Sequence, residues 1–513
     1  MIPARALRIR VLLAAGATAV VAAMAPAPAH SADTEDVLLV GNNWDGTADV
    51  VDPKAFKRIT RINIVPDLAI RRAEIMSDPV AAGYFIGIGQ LIGEGHDQLV
   101  DDMFTSPDGR FMYVSRPSLA DVVAFDLRTR KIAWRVKIEG NRSDHMAISP
   151  DGRRLLVSAS TAAKVHVIDT RAGRIVGEFA SGDQPHENNY SRDGKLIFHA
   201  SIGTVYTPAD DPSQDAAKGK RYFQVVDART LRILKRIEMG KVLAAAGYPN
   251  MSSAVRPMAL SPDERYVYMQ LSFLHGFVEF DLRTDRPLRI AHLPLSEKAK
   301  KLRRDEYVLD SAHHGLAMNP SGTKLCAAGT MSDYAAIVTR SSFAHTIIHV
   351  GDKPYWSTNS GDGRHCFVSV SGEDRVSVIS YSSAREIASV PVGDHPQRMR
   401  MGAYRSQFLP GDRVAPRLSR LKVVRRKRGR GRALRVKASE RARVSIDVRR
   451  VRRGGRRTTR LRFLRRGARK GTSRFRLGRL PAAGRYRLTV RAKDAAGNLS
   501  RKRVLRFRVR RAG

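Results

Sequence analysis

The feature of this sequence that most constrains its fold is a repeated turn, written SPDG in its commonest form. It occurs in FTSPDGRFMYVS and AISPDGRRLLVS, and related stretches are NYSRDGKLIFHA, ALSPDERYVYMQ, AMNPSGTKLCAA and TNSGDGRHCFVS. The Asp of each turn, or the Ser in its place, falls at positions 108, 151, 193, 263, 321 and 362. Successive intervals are 43, 42, 70, 58 and 41 residues. A basic unit of about 42 residues therefore repeats, with two insertions.

Within each unit, short and often alternating apolar runs are separated by Pro, Asp and Gly, which predicts four short antiparallel strands. One such unit cannot bury both of its faces, whereas radial packing of several units can, as in a β-propeller. The first segment, DVLLVGNNWDGTADVVDPKAFKRITRINI, has no turn-bearing first strand, and HPQRMRMGAY near the end is a first strand without successors. We predict an all-β fold: a seven-bladed β-propeller over residues 33–408, closed by N- and C-terminal strands and followed by a small β-sandwich.

The turns, the third strands VVAFD and VHVID, and the connectors VGDKP and VGDHP carry a family resemblance. They resemble the YVTN-type repeats of extracytoplasmic seven-bladed propellers, the group that includes the YncE-like proteins. The resemblance covers residues 36–404. It implies the architecture and leaves the activity open, because this fold hosts binding proteins, lyases, lactonases and metal-dependent redox enzymes.

The N-terminus has the basic, apolar and small-residue order of a secretory signal peptide, which we assign to residues 1–32. Its apolar run of about 16 residues is short for a bilayer span, although a retained anchor is the alternative. No second apolar stretch of spanning length follows. We therefore expect a secreted, extracytoplasmic protein without a transmembrane span in the mature chain. It is either released or associated with the cell surface.

The formal net charge of +42 is concentrated near the C-terminus. From Gly411 onward, 40 Lys and Arg stand against 4 Asp and Glu, a net +36. The alternating pattern of residues 409–513 resembles the small Ig-like or fibronectin-III-like sandwiches of secreted proteins. Such a basic domain favours an anionic partner, for which a cell-wall polymer, a lipid headgroup and extracellular nucleic acid are the candidates. A solvated surface without a partner is the alternative.

Alignment of the repeats places polar residues six and seven positions ahead of each turn, where a scaffold alone would favour small or apolar ones. The equivalent points of all blades surround one mouth of the central channel. We therefore predict a pocket for a small-molecule or peptide ligand there. The predicted ligand-binding residues are Asp101, Asp102, Arg256, Tyr355, Trp356 and Arg398, and they are joined by Asp144, His145, His186, Glu187 and His314.

Several chemistries fit this set of side chains. His145, His186 and His314, with Asp144 or Glu187, are candidate ligands for Zn, Cu, Fe or Mn, since imidazole with carboxylate suits transition metals. Alternatively, His186, Glu187 and His314 are candidate catalytic groups, with a histidine acting as a metal-free general base. Structural hydrogen bonding alone is the third possibility.

The leading functional prediction is a binding or cell-surface interaction protein. The alternative is a lyase, a lactonase-type hydrolase or an oxidoreductase acting at the same pocket. The pair His314 and Gly315 resembles a short feature of streptogramin lyases.

The two cysteines, Cys326 and Cys366, follow equivalent turns in adjacent repeats. A disulfide between neighbouring strands is geometrically possible in an oxidising compartment. Two buried thiols are the alternative.

Overall fold

The structure is a computed structural model of the whole chain. It describes residues 34–205, 217–408, 416–425, 431–452, 458–478, 480, 483–494 and 499–509. The predicted signal peptide, residues 1–32, lies outside the described residues. Within them, no helix has both the length and the apolar character that a membrane span requires.

Between residues 34 and 405, the described chain forms an all-β, propeller-like fold of seven four-stranded antiparallel sheets. Six sheets take their strands in sequence order. Sheet by sheet, their strands are β4(Met103–Thr105), β5(Phe111–Arg116), β6(Asp121–Asp126) and β7(Lys131–Lys137); β8(Ser143–Ile148), β9(Arg154–Ala159), β10(Lys164–Asp169) and β11(Arg174–Ala180); β12(Pro185–Tyr190), β13(Leu196–Ser201), β14(Tyr222–Asp227) and β15(Ile233–Glu238); β16(Val255–Leu260), β17(Tyr266–Leu271), β18(Gly276–Asp281) and β19(Arg286–His292); β20(Leu316–Met318), β21(Lys324–Gly329), β22(Tyr334–Thr339) and β23(His345–His349); and β24(Pro354–Asn359), β25(His365–Val370), β26(Arg375–Ser380) and β27(Arg385–Pro391).

The remaining sheet joins strands from the two ends of this segment. Its order is β28(Pro396–Arg405), β1(Thr34–Asn42), β2(Thr47–Asp52) and β3(Lys57–Asn63). β28 runs antiparallel to β1, with Leu38 opposite Met401. β28 also contacts β4 and β24, and the strands β4, β8, β12, β16, β20 and β24 contact one another in that order. We call these seven the inner strands.

The repeated turn links neighbouring sheets as well as consecutive strands. In the unit of Asp151, the Ser149 hydroxyl donates to the Asp151 carboxylate, which accepts from the backbone N–H of Arg153. Gly152 has a φ of +72°, and a Cβ on it would lie 2.5 Å from the ring of Pro107 in the preceding turn. The Gly of SPDG therefore has two roles. It adopts the left-handed backbone conformation of the turn, and its lack of a side chain leaves space for the proline of the preceding repeat.

The core lies between sheets. One apolar cluster, for example, includes Val122 and Ala124 of β6 with Leu155 and Val157 of β9, all buried. Adjacent sheets approach closely at Gly315, where a Cβ would lie 2.7 Å from the backbone N of Ser357. Glycine at this position therefore lets the inner strands converge.

Three α-helices lie in the connections that the structure describes: α1(Leu68–Met76), α2(Pro79–Leu91) and α3(Met239–Ala245). The stretch AIRRAEIM lies within α1. The stretch SEKAKKLRR forms no single helix, because the chain there forms separate 3-10 turns, among them Ala299–Lys301 and Arg304–Glu306.

A buried ion-pair network fixes α1 to the sheet β4–β7. The Arg116 Nε lies 2.7 Å from Asp121 Oδ1, and its Nη1 lies 2.6 Å from Asp67 Oδ1 at the start of α1. Arg71, in α1, adds a contact of 3.1 Å from its Nε to Asp121 Oδ2. The side chains of Arg116 and Asp121 are completely buried. The position of α1, in the connection between β3 and β4, therefore depends on these charges.

Cys326 of β21 and Cys366 of β25 form a disulfide, with their Cα atoms 6.5 Å apart. Both residues are fully buried in an apolar cluster with Val350 and Val368. The bond therefore ties the second strands of adjacent sheets.

The described residues beyond 416 form two antiparallel sheets. One contains β29(Leu418–Arg425), β30(Arg432–Ala438) and β33(Gly471–Gly478); the other contains β32(Thr458–Ala468), β31(Ala442–Val451), β34(Gly484–Lys493) and β35(Arg503–Val509). Leu434 and Leu477 of the first sheet share a buried cluster with Val444 and Leu488 of the second. The alternating sequence thus forms two sheets around one core.

Candidate functional site

The predicted site residues lie at or just ahead of the inner strands, and all are buried. Asp101 and Asp102 precede β4, Asp144 and His145 lie in β8, His186 and Glu187 in β12, and Arg256 in β16; His314 precedes β20, Tyr355 and Trp356 lie in β24, and Arg398 in β28. The inner strands converge, and for this reason residues far apart in sequence become neighbours.

Most of these side chains line one small cavity, which we call the histidine chamber. It measures about 30 Å³. A water needs about 10–15 Å³ by the same kind of measure, so the histidine chamber holds an ion, a small polar group or one to two waters, and not a whole organic ligand. The predicted residues that line it are Asp101, Asp144, His145, His186, Arg256, His314, Tyr355 and Arg398. Asp102, Glu187 and Trp356 lie behind this lining.

Three carboxylates of the site are each paired with an arginine. Asp101 Oδ1 lies 3.0 Å from the Nε of Arg398, and Asp144 Oδ2 lies 2.5 Å from the Nη1 of Arg142. Behind the lining, Asp102 Oδ2 lies 2.7 Å from the Nη2 of Arg400. Sequence reasoning missed both Arg142 and Arg400. Arg400 has a sequence signal, since it follows Arg398 by two residues and therefore shares its face of β28.

Trp356 supports two of these arginines. The guanidinium carbons of Arg398 and Arg400 lie 4.4 and 4.9 Å from the centre of its rings, within cation–π range. The indole thus positions charged residues of the site without reaching the chamber itself.

The three histidines form the centre of the histidine chamber. The ring centres of His145 and His186 are 3.6 Å apart, and that of His314 lies 6.1 Å from His145 and 5.6 Å from His186. One ring nitrogen of each lies within 4.8 Å of the others. His145 Nδ1 lies 2.7 Å from Glu187 Oε2, whereas the Nδ1 atoms of His186 and His314 are buried without a hydrogen-bond partner among the described residues.

Burial determines the charge state of this cluster. It lowers the pKa values of His145, His186 and His314 well below the ordinary value, and Arg398 acts in the same direction. Burial also raises the pKa of Glu187 to about 7, against the opposing effect of Arg400 and Arg398. The three imidazoles are therefore neutral at neutral pH.

Arg256 carries a buried charge that no carboxylate of the described residues contacts directly, although Asp310 and Asp144 attract it from a greater distance. Its residue is 1% exposed, and its hydrogen bonds run to the Ser272 hydroxyl and to the backbone carbonyl of Leu309. Burial lowers the pKa of Arg256 to about 10, so the guanidinium stays charged at neutral pH. Within the described residues it has no salt-bridge partner, which is costly for a cation at this depth.

The adjacent histidines His313 and His314 have different environments. His314 lines the histidine chamber and stacks on Tyr355 with ring centres 4.2 Å apart. His313 Nε2 instead lies 3.2 Å from the hydroxyl of Tyr334 in β22. Two further histidines, His96 and His395, stack on Trp44 and do not line the chamber.

A larger apolar cleft adjoins the histidine chamber, and we call it the α2 cleft. It measures about 390 Å³, within the range of small-molecule sites. One wall is α2, through Val80, Tyr84 and Leu91, which are 66%, 44% and 57% exposed. The cleft and the chamber share three lining residues, Ile92, Arg142 and Gln184. Sequence reasoning missed α2 because its apolar residues, mixed with three glycines, follow no helical periodicity.

No protein-family model matches this sequence, and none of the curated proteins matches it either. Among solved structures, the chain is similar to the Kuenenia stuttgartiensis hydrazine synthase. The two are 16% identical with a TM-score of 0.45, over 60% of this chain and 95% of that chain.

Proposed function

We propose that this chain is an exported binding protein, built as a seven-bladed YVTN-like propeller with an Ig-like basic domain, that takes up a small amphipathic anion at the propeller mouth. The order of contacts between the inner strands, and the pairing of β28 with β1, support a closed ring of seven blades. The N-terminal sequence supports export.

The observation that carries the ligand class is the unpaired guanidinium of Arg256 inside the histidine chamber. An anionic group there supplies the missing counterion, and Arg398, whose Nη1 is buried without a hydrogen-bond partner among the described residues, adds a second donor. The chamber is too small for more than such a group. The apolar remainder of the ligand then lies in the α2 cleft, which the chamber joins at Arg142.

Octanoate is a suitable probe, because it joins a carboxylate to an apolar chain. Octanol, which lacks the charge, and acetate, which lacks the apolar chain, are the matched controls. We expect octanoate to stabilise the protein against thermal unfolding, by about 2.7 kcal/mol at one hundred times its dissociation constant. Arg256→Met should weaken octanoate binding at least tenfold in a calorimetric titration. The unliganded variant should be as stable as the parent or more so, since removing an unpaired buried charge relieves its desolvation cost.

Gly87→Leu tests the cleft separately. A Cβ at Gly87 meets no atom within 4 Å, and a side chain there fills the α2 cleft while improving the helix propensity of α2. Octanoate binding should be lost without a loss of stability. Gly467→Leu, in the C-terminal sheets and equally free of contacts, is the matched control. The proposed ligand class would be refuted if octanol bound as tightly as octanoate. It would also be refuted if Arg256→Met and Gly87→Leu both bound octanoate with the affinity of the parent.

The basic domain, in this proposal, attaches the protein to a phosphate-bearing polyanion through the outer face of its four-stranded sheet. Arg449 lies opposite Arg487, which lies opposite Arg506, while Arg485 lies opposite Arg508. Like charges directly opposite one another destabilise a sheet, and an anionic partner relieves that repulsion. Neighbouring strands are about 4.8 Å apart, so these rows form a dense cationic array.

We expect the full-length chain to bind vesicles containing phosphatidylglycerol, linear polyphosphate or duplex DNA, with an affinity that falls steeply with salt. Changing the exposed residues Arg485, Arg506 and Arg508 to Gln should lower that affinity at least tenfold and flatten the salt dependence. The control changes Arg435, Arg474 and Arg476, exposed on the other sheet, to Gln. Equal losses in both variants would show that net charge alone acts and would overturn the assigned face. The strongest of the three probes identifies the class of partner.

A further inference from the structure

We propose that His145, His186 and His314 form a binding centre for one transition-metal ion at the inner end of the ligand pocket. The inference deepens the proposed function, since it concerns the same pocket, but it rests on different side chains. It specifies which groups of the chamber would contact a bound ion and which would orient them.

The spacing of the three imidazoles requires only a small contraction to hold a metal. Zinc binds imidazole nitrogen at about 2.0–2.1 Å in tetrahedral geometry, which places two ligand nitrogens about 3.3 Å apart. Here one nitrogen of each ring lies within 4.8 Å of the others, beside a cavity of about 30 Å³. The distance still to be closed is therefore at most about 1.5 Å, which is within the reach of side-chain rotation into that space.

His145 already has the partner that a metal-bound histidine usually has. Its Nδ1 lies 2.7 Å from Glu187 Oε2, so with Nδ1 donating to the carboxylate, Nε2 is free to bind a metal. Asp144 Oδ1 lies 3.6 Å from that Nε2 and, with Asp101 and His145, forms a second group of possible ligand atoms that shares only His145 with the three histidines. Glu187 is therefore assigned as a positioning residue that orients the first ligand, and Asp144 marks the side on which the ion would lie.

The other two histidines, His186 and His314, each have a buried ring nitrogen without a hydrogen-bond partner among the described residues. In each ring this atom is Nδ1, and both side chains are buried. Such atoms cost free energy in a folded protein unless a ligand, an ion or water completes them. A metal bound through the Nδ1 atoms of both rings would satisfy the two together. Three imidazoles favour zinc, copper, cobalt or nickel over calcium and magnesium, which prefer oxygen ligands.

The charges around the chamber also define the fourth ligand. Asp101, Asp144 and Asp102 are already paired with arginines, and Arg256 has no salt-bridge partner within the described residues. A divalent cation therefore adds positive charge to a site in which Glu187, hydrogen-bonded to His145, is a carboxylate outside these arginine pairs. An anionic ligand group that binds both the metal and Arg256 would balance it, which couples the metal to the small anion of the proposed function.

The experiment titrates the full-length protein, freed of metal with a chelator, with Co²⁺ followed by visible absorption and with Zn²⁺ followed by calorimetry. We expect one ion per chain and the intense absorption of tetrahedral Co²⁺. His186→Gln and His314→Gln should each weaken binding at least tenfold, and Glu187→Gln should weaken it 10–100-fold while one ion per chain still binds. Circular dichroism and thermal unfolding verify that each variant is folded.

A second cluster on the surface supplies the matched control. His166, with Glu139 and Glu178, also offers three ligand atoms within 4.8 Å of one another, but both carboxylates are exposed. His166→Gln should leave the strong site unchanged. Unchanged metal affinity in folded His186→Gln and His314→Gln proteins, or loss of the strong site in His166→Gln, would overturn the proposal. Octanoate binding is measured in the presence of chelator, so that failure of the metal centre and failure of the anion pocket are distinguished.

Discussion

Replacing Arg116 with Met should lower the free energy of unfolding by about 3–5 kcal/mol, because it leaves the carboxylate of Asp121 buried without its main partner. Arg116 contributes two contacts to Asp121, of 2.7 and 2.8 Å, and the side chains of both residues are completely buried. Arg71 remains 3.1 Å from Asp121 and reduces the loss without removing it. Denaturant unfolding followed by tryptophan fluorescence measures the change, since Trp44, Trp134 and Trp356 all lie between residues 34 and 405.

Asp67→Asn is the matched control, because the Asp67 side chain is 21% exposed and its loss leaves Arg116 still paired with Asp121. We expect a decrease of about 1 kcal/mol there, the size of an ordinary hydrogen bond. Combining Arg116→Met with Asp121→Leu should restore much of the stability, because the buried Arg116–Asp121 pair is then gone and Arg71 keeps Glu74 as its partner. A single Arg116→Met variant as stable as the parent would show that the network contributes nothing.

Removing the disulfide should have an effect of similar size. The bond joins positions 40 residues apart, for which the loop-entropy relation gives about 4 kcal/mol. The double variant Cys326→Ala, Cys366→Ala should lose about that amount, again read from tryptophan fluorescence in denaturant. The parent protein unfolded with a reductant present should show a similar decrease, since the same crosslink is opened without creating a cavity. If both samples unfold at the denaturant concentration of the oxidised parent, the bond is absent or without effect.

The strands and turns were predictable because their signals are local. Period-two alternation and Asp-Gly turns depend on a few adjacent residues, and the repeat of these signals located the inner ends of the sheets. The candidate site followed from the same alignment, which explains why His145, His186, Arg256 and His314 could be grouped before any coordinates were known.

The parts that could not be predicted depend on contacts between distant segments. α2 has no periodic apolar stripe, so its place beside Arg142 follows only from the fold. The isolation of Arg256 is likewise invisible in sequence, since it depends on which carboxylates pair elsewhere. His313 and His314 are adjacent in sequence, yet successive side chains on an extended segment point in opposite directions, and only His314 reaches the chamber.

The pairing of β28 with β1 has a consequence for how the chain acquires its structure. The edge strand β1 pairs with residues 396–405, so this sheet joins strands with the largest sequence separation in the seven-sheet segment. One edge of β1 therefore stays unpaired until those residues are in place. Contacts of such long range form late and slowly, because the closure entropy of the intervening chain must be met first. Until then β1 presents an unpaired, apolar edge, the kind of surface at which chains associate with one another. Aggregation during synthesis or refolding should therefore depend mainly on how quickly the last strand arrives.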